Sequence, residues 1–246
     1  MRLYALTQIG VNKDENEDRI IVGRTILANG IFQCDNFSGV FAIADGVGGN
    51  NAGAEASHFV ANRVGGLKNC SKNLFEAINK DLIAESNSSK HLNKMATTLS
   101  GILSGDKGIE YFHIGNTRIY ALQGGRYLKQ ITEDDTTLNY LLKTGRLLPE
   151  DADTYTDKNE LVACFGAGDE KLFDFKIANA SDIQTFLLTS DGVHEYVSID
   201  ELEEIIQHDD NFSAVCQKIA AKAVSNRSHD DISIIIAMIE EEQKWD

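Results

Sequence analysis

One proline, Pro149, occurs in the 246 residues of this chain. So little proline leaves no polyproline segment and no proline-rich linker to mark a domain boundary. Cysteine is sparse as well. Cys34, Cys70, Cys164 and Cys216 lie far apart and form no CxxC pair, which argues against a zinc ribbon or a disulfide framework. They read as buried free thiols of a reducing compartment. Positive charge is short: 23 Lys and Arg stand against 38 Asp and Glu, a net charge of −15. That balance works against a general electrostatic attraction to nucleic acid or an anionic membrane. No apolar run approaches membrane-spanning length, and "MRLYALTQIGVNKDENED" turns acidic before a signal-peptide core can form. A cytoplasmic protein without repeats or low-complexity segments is expected.

What remains is ordinary globular composition, 42% hydrophobic and 25% charged, long enough to bury a sizeable core. We read residues 1–246 as a single domain. Short apolar or alternating runs at 2–8, 19–23, 39–44, 97–104, 108–115, 118–123, 185–190 and 232–239 are rich in Ile, Val, Phe, Tyr and Thr and predict strands. The pair Gly124–Gly125 between two such runs predicts a hairpin. Amphipathic periodicity predicts helices over 52–67, 73–86, 198–207 and 212–225, the third opened by a Ser198/Glu201 capping box. Runs of strands with helices in pairs between them indicate an α+β layered protein with mostly antiparallel sheets. The polar stretch 133–168 reads as a small helix plus loop beside the core.

The stretch "VFAIADGVGG" (40–49) brings a carboxylate, Asp45, to the end of an apolar run and surrounds it with glycine. The construction recurs at Asp191–Gly192, while Glu17–Asp18 and Asp230–Asp231 stand just before strands. Asp-Gly after a strand is also an everyday turn signal, and for either pair alone the turn is the better reading. Four strand-end acid sites that converge would repel one another unless protonated or neutralised by a cation. Carboxylates, a backbone carbonyl and water make the ligand set of Mg or Mn. On this reading Asp45 is a ligand, Gly46 offers its carbonyl, and Gly48–Gly49 clear space before a helix. The loop lacks both GxGxxG and GxxxxGK[ST], so a nucleotide-binding loop is disfavoured.

The ordered set "NED" (16–18), "DGVGG" (45–49), "MATTL" (95–99), "HIGNTRIYAL" (113–122), "LLTSDGVHEYVS" (187–198) and "DDISIII" (230–236) resembles the metal-dependent Ser/Thr protein phosphatases of type 2C, over essentially the whole chain. The resemblance implies a four-layer α-β-β-α sandwich, two antiparallel sheets flanked by helix pairs, with residues 133–168 as a mobile flap. It implies hydrolysis of phosphoserine and phosphothreonine by a water activated by two Mn or Mg ions. Residue by residue, Asp45 would bridge both ions and Gly46 would supply its carbonyl. Asp191 and Asp230 would hold one ion, and Glu17 and Asp18 would act largely through water. Asp231 would support the ligands. The resemblance further implies a phosphorylated protein substrate, opposition to a Ser/Thr kinase, and no nucleic-acid or membrane partner. A monomer is expected.

The chain departs from the pattern in several places. Lys13 stands where many members carry an Arg that grips the substrate phosphate, giving a point charge in place of a bidentate fork. Val47 replaces a His proposed in some members to protonate the leaving group. Asn116 replaces an Asp that holds a third ion in bacterial-type members, and Glu195 takes the place of a second such acid, so any third ion should bind weakly. Asp134–Asp135 replaces the usual "DH". His113, His194 and His229 read as structural histidines. These departures keep alive a catalytically weak member acting as a binding or regulatory module, and another metal-dependent hydrolase on a similar fold is a third reading.

Overall fold

The computed structural model describes residues 1–47, 52–90, 92–105, 108–167, 173–209 and 211–239. Gly48 and Gly49, Gly168 at the end of the expected flap, and the tail carrying Trp245 lie outside the described residues. In chain order the elements are β1 (Arg2–Gln8), β2 (Asp18–Val22), β3 (Thr25–Leu27), β4 (Gly30–Cys34), β5 (Gly39–Val47), α1 (Ala52–Val64) and α2 (Lys72–Ser88). There follow β6 (Ala96–Thr97), β7 (Leu99–Gly105), β8 (Gly108–Ile114), β9 (Arg118–Gln123), β10 (Tyr127–Gln130) and α3 (Thr137–Lys143). A 3-10 turn (Pro149–Thr154) leads to β11 (Lys176–Asn179), β12 (Thr185–Thr189), α4 (Asp191–His194), α5 (Ile199–Gln207), α6 (Phe212–Ser225) and β13 (Ile232–Met238).

Two antiparallel sheets form. The first has the order β10-β9-β12-β13-β1-β4; the second runs β11-β8-β7-β5-β2-β3, with β6 added to the end of β5. Period-two alternation along each strand decides which layer a side chain enters. In β5, Phe41 and Ile43 enter the core between the sheets, while Val40, Ala42 and Ala44 face α1 and α2. In β13, Ile235 and Ala237 meet the other sheet, while Ile232, Ile234 and Ile236 pack under α5 and α6. Both faces of the central strands are covered, which is why they read as unbroken apolar runs. Each fully buried Leu, Ile or Phe there contributes about 1.5–3 kcal/mol relative to exposure. The result is the expected α-β-β-α sandwich.

The hairpin turns at Gly124 and Gly125, both with positive φ (58° and 68°), where glycine is the residue that fits. The stretch 133–168 is a short helix and a 3-10 turn joined by loop, as expected. Its far root is fixed. Phe165 pairs with Thr97 and joins an aromatic cluster in which Phe75 and Phe175 stack at 3.8 Å.

Candidate metal centre

Asp45 does not terminate its strand. β5 continues through Gly46 and Val47, where β6 pairs with it, so the expected strand end at Ala44 is corrected. The extension is held by two threonines. Asp45 N donates to Thr98 Oγ1 at 3.1 Å, and Thr97 Oγ1 donates to the Asp45 carbonyl at 2.8 Å. The register of β2 against β5 then sets Asp18 directly opposite Asp45. Opposed like charges destabilise a sheet, and both side chains are buried.

Three further acids approach from the ends of the first sheet. Asp191 opens α4 after the Ser190 N-cap, so it is the first residue of a short helix. Its carboxylate lies in hydrogen-bonding range of Asp45 and accepts Asn116 Nδ2 at 3.3 Å. Asp230 and Asp231 precede β13, as expected. Asp231 is 2% exposed and fastens the loop before β2: Oδ1 accepts Gly10 N at 2.8 Å, and Oδ2 accepts Glu17 N at 2.8 Å. Lys13 Nζ donates to Asp231 Oδ2 at 3.0 Å and to Asp230 Oδ1, with Glu17 Oε2 at 3.7 Å. Around this loop Asn16 Nδ2 donates to Thr7 Oγ1 at 3.0 Å, and Thr7 meets Ser233 Oγ at 2.8 Å.

The electrostatics follow from crowding. Burial first, then Asp191, Asp18 and Asp230, hold the Asp45 carboxyl well above the ordinary range. Burial, opposed by hydrogen bonds from Ser233 and Ser190 and aided by Asp231 and Asp191, pushes Asp18 up to about 8. Burial and Asp230 raise Asp191. Burial, then Asp191 and Asp230, push Glu195 up to about 7. Burial works against the Lys13 ammonium, but its bonds to Asp230 and Asp231 outweigh that and hold it above the usual lysine range.

Among the described residues, no three His, Cys, Asp or Glu side chains are already arranged to hold an ion. The donor set nevertheless fits a hard divalent cation. Asp45 Oδ2 and Asp18 Oδ2 are buried with no hydrogen-bond partner, and their neighbours Asp191, Asp230 and Glu17 are oxygen donors. A cation is the partner that such orphaned oxygens and raised carboxyls call for. In EDTA the stability of the protein should therefore fall as pH rises. Asp18 keeps its proton in the folded chain between its unfolded value of about 4 and its folded value of about 8. Over that window the folded state binds more protons, so its contribution is intact below pH ~4 and gone above pH ~8. Thermal melts across pH 4–9 should show the decline, and Asp18→Asn should flatten it.

Gly46 has a packing reason beside the carbonyl it is expected to offer. A Cβ at Gly46 would overlap the carbonyl of Gly53 and lie 2.8 Å from Glu17 O. The missing side chain makes room for the first turn of α1 to cross β5. Gly46 N donates to Glu17 O at 3.2 Å, as does Ser57 Oγ at 2.6 Å, so the crossing also places Glu17. Gly46→Ala should cost about 1–3 kcal/mol, at the upper end because backbone lies on both sides, measured by urea unfolding.

The double acid Asp134–Asp135 acquires a role that sequence reasoning missed. Asp134 takes a fork from Arg118, with Nη2 at 2.7 Å and Nε at 2.9 Å, and Gln130 Nε2 at 2.8 Å. Asp135 accepts Gly115 N at 3.0 Å and Lys176 Nζ. Together they tie the base of the flap to β8, β9 and β11. His113 is fully buried, donating from Nε2 to Glu133 O at 2.9 Å, with burial lowering its pKa; it is structural, as expected. His194, also below its ordinary range through burial, meets Thr189 Oγ1 at 3.0 Å. Lys13, Glu17, Asp18, Asp45, Asp191 and Asp230 thus gather at one end of the sandwich, with Glu195 at the rim, just after α4.

This gathering can be set beside known proteins. The family model described as Protein phosphatase 2C matches residues 28–230. The "Serine/threonine phosphatase stp" of Listeria monocytogenes is 27% identical over 220 residues, covering 84% of this chain and 87% of its own. The "Protein phosphatase PhpP" of Streptococcus pneumoniae is 27% identical, with 98% and 99% covered. Among solved structures, the catalytic domain of the serine/threonine protein phosphatase PstP, in complex with two manganese ions, has a TM-score of 0.75 at 24% identity, over 98% of this chain and 99% of that one. At that identity the likeness speaks for the fold, and the two sheets with their flanking helices agree with it. With the family model matched across most of the chain, from β4 to the acid before β13, this protein belongs to the protein phosphatase 2C family.

Proposed function

We propose that the chain is a protein-serine/threonine phosphatase that depends on a divalent metal. One observation carries the reading: Asp18 and Asp45 face each other across β2 and β5, each with an orphaned buried oxygen, and Asp191 reaches Asp45 from the other sheet. The naming of the similar Listeria and Streptococcus proteins as phosphatases supports catalysis over a purely binding role.

Asp45, the Gly46 carbonyl, Asp191 and Asp230 would hold divalent ions, and Glu17 and Asp18 would act largely through water. Bound there, Mn or Mg would supply Lewis acidity toward a water and the phosphoryl oxygens. The chain's own groups do the rest. Asp231 fixes the 10–17 loop. Asn116 orients Asp191 as a donor, which suits it poorly as the ligand of a third ion, and Glu195 alone would hold such an ion weakly. Lys13 carries the positive charge that meets a substrate phosphate, as a single point. Val47 leaves the leaving group to take its proton from water or another group. The substrate is a phosphorylated protein, set against a Ser/Thr kinase, and the enzyme works as a cytoplasmic monomer without nucleic acid or membrane. No described helix is long and apolar enough to cross a membrane.

The test is hydrolysis of p-nitrophenyl phosphate and a phosphothreonine peptide with Mn, with Mg and with EDTA. Activity that requires metal is expected. Folded protein inert with either metal and both substrates would sink the reading and leave a binding module. Fast turnover of another phosphoester with slow peptide turnover would point to a different hydrolase.

A further inference from the structure

Directly behind the acids a cation is buried. Arg19 follows Asp18 in β2 and is 6% exposed. Arginine is seldom buried without a carboxylate to answer it. Among the described residues its one ion-pair partner is Glu15, with Oε1 3.4 Å from Nη2 on a side chain 53% exposed. So long and wet a pair contributes little and does not account for the buried charge. The close contacts are to backbone instead. Nη1 donates to the Asn16 carbonyl and, at 2.8 Å, to the Asp18 carbonyl. Its two N–H bonds serve one oxygen each.

Strand geometry keeps Arg19 off any ion. Ile20 lies in the core between the sheets, and Ile21 in the layer beneath α1 and α2. By the same alternation Asp18 points with Ile20 and Arg19 with Ile21, so the two leave β2 from opposite faces. The guanidinium reaches back along the chain to oxygens on either side of Glu17. The backbone groups between those oxygens are all engaged. Glu17 N donates to Asp231, Glu17 O accepts Gly46 N and Ser57 Oγ, and Asp18 N donates to Asn16 Oδ1 at 2.8 Å. Arg19 holds the first and the last oxygen of this series. A peptide rotation that freed either oxygen would turn the Glu17 and Asp18 carboxyls from their present directions.

We propose that Arg19 is a positioning residue of the acid centre: its clamp on the Asn16 and Asp18 carbonyls presets the Glu17 and Asp18 carboxyls toward a divalent ion and its waters. The inference rests on the metal-dependent reading of this centre. Carboxyls ordered beforehand spare binding the entropy of ordering them. Groups that orient metal ligands from behind typically change metal affinity about 10–100-fold. Lysine at this position would offer one flexible ammonium in place of a planar, rigidly spaced set of donors.

The experiment is calorimetric titration of Mn into the full chain, freed of metal with EDTA and dialysed, for wild type, Arg19→Lys, Arg19→Met and Glu15→Gln. Circular dichroism at the same temperature establishes that each is folded. Arg19→Met should bind Mn about tenfold more weakly or worse, and Arg19→Lys about threefold more weakly or worse. Arg19→Lys, the milder change, carries the test if Arg19→Met does not fold. Glu15→Gln leaves the carbonyl clamp in place and should bind as wild type does. Raising Mn should restore p-nitrophenyl phosphate hydrolysis by the Arg19 variants, with KM for the ester unchanged at saturating metal. Wild-type Mn affinity in the folded Arg19 variants would overturn the positioning role and leave Arg19 as part of the fold alone. Equal weakening in Glu15→Gln would overturn it too, since the ion pair and not the clamp would then matter. Wild type that binds no Mn would overturn the metal reading itself, and the inference with it.

Discussion

Asp45→Asn should remove metal-dependent phosphatase activity, by about 10³-fold or more on the scale of losing a principal charge-stabilising group, and should at the same time make the metal-free protein harder to melt. The two effects share one cause. Asp45 is buried opposite Asp18 and within reach of Asp191, so its charge is valuable only when a cation answers it. An amide keeps the shape and the Thr98 and Thr97 bonds to the backbone but removes one like charge from the cluster. In EDTA the gain should be about 1 kcal/mol, a rise of ~2–4 °C in Tm for a chain of this size. The sign fixes its pH dependence. The wild-type carboxyl is raised in the folded state, so wild type loses stability as pH climbs toward that folded value; the variant keeps the decline due to Asp18 but lacks this one. The difference should therefore widen from pH 5 to pH 9. Lost activity together with lost stability would mean that Asp45 holds the fold and not an ion. Such a trade between function and stability is common where active sites store repulsion.

Asp231→Ala should be the more damaging change to the protein itself. One buried carboxylate satisfies Gly10 N, Glu17 N and the Lys13 ammonium. Removing it strands two backbone donors and half of an ion pair, a loss of about 3–5 kcal/mol on the scale of broken buried pairs. Urea unfolding would measure it. Asp231→Asn is the control: it keeps the shape and one oxygen acceptor but turns its amide nitrogen toward one set of donors, so it should recover only part of the stability. Hydrogen exchange should show the loss first at Gly10 and Glu17, since these amides lose their acceptor while β1 and β2 remain paired.

Much of this architecture is legible in the amino-acid sequence. The central strands announce themselves as apolar runs because both faces are buried, and α6 spans the very residues its periodicity predicts. The strands that escape, β3, β4 and β11, lie at or beside sheet edges. β4 reads "GIFQC" with three exposed residues, so neither burial nor alternation marks it. α4 escapes because Asp-Gly after a strand reads as a turn, and only four residues of helix follow. The acids themselves are visible as strand-end carboxylates, but their partnerships are not. Asp18 opposes Asp45 through register, which depends on pairing between distant segments. The fastening role of Asp231 and the work of Asp134 and Asp135 are likewise matters of which distant donors arrive. Gly46 teaches the converse: a glycine beside a functional acid can be there for a neighbouring helix.

β13, the last strand of the sandwich, is inserted between β12 and β1 near the middle of its sheet. During synthesis from the N-terminus this ordering has a consequence. β1 emerges well before β12, yet neither gains its inner neighbour until the segment carrying β13 leaves the ribosome. Until then both offer open edges, the kind of surface that invites wrong pairing. Asp230 and Asp231 arrive on that same segment, so the loop carrying Lys13 and Glu17 lacks its carboxylate fastening beforehand. A ribosome stalled short of β13 would hold a chain whose second sheet could already assemble, but whose reactive centre could not. Acquisition of the acid cluster thereby waits for the emergence of β13.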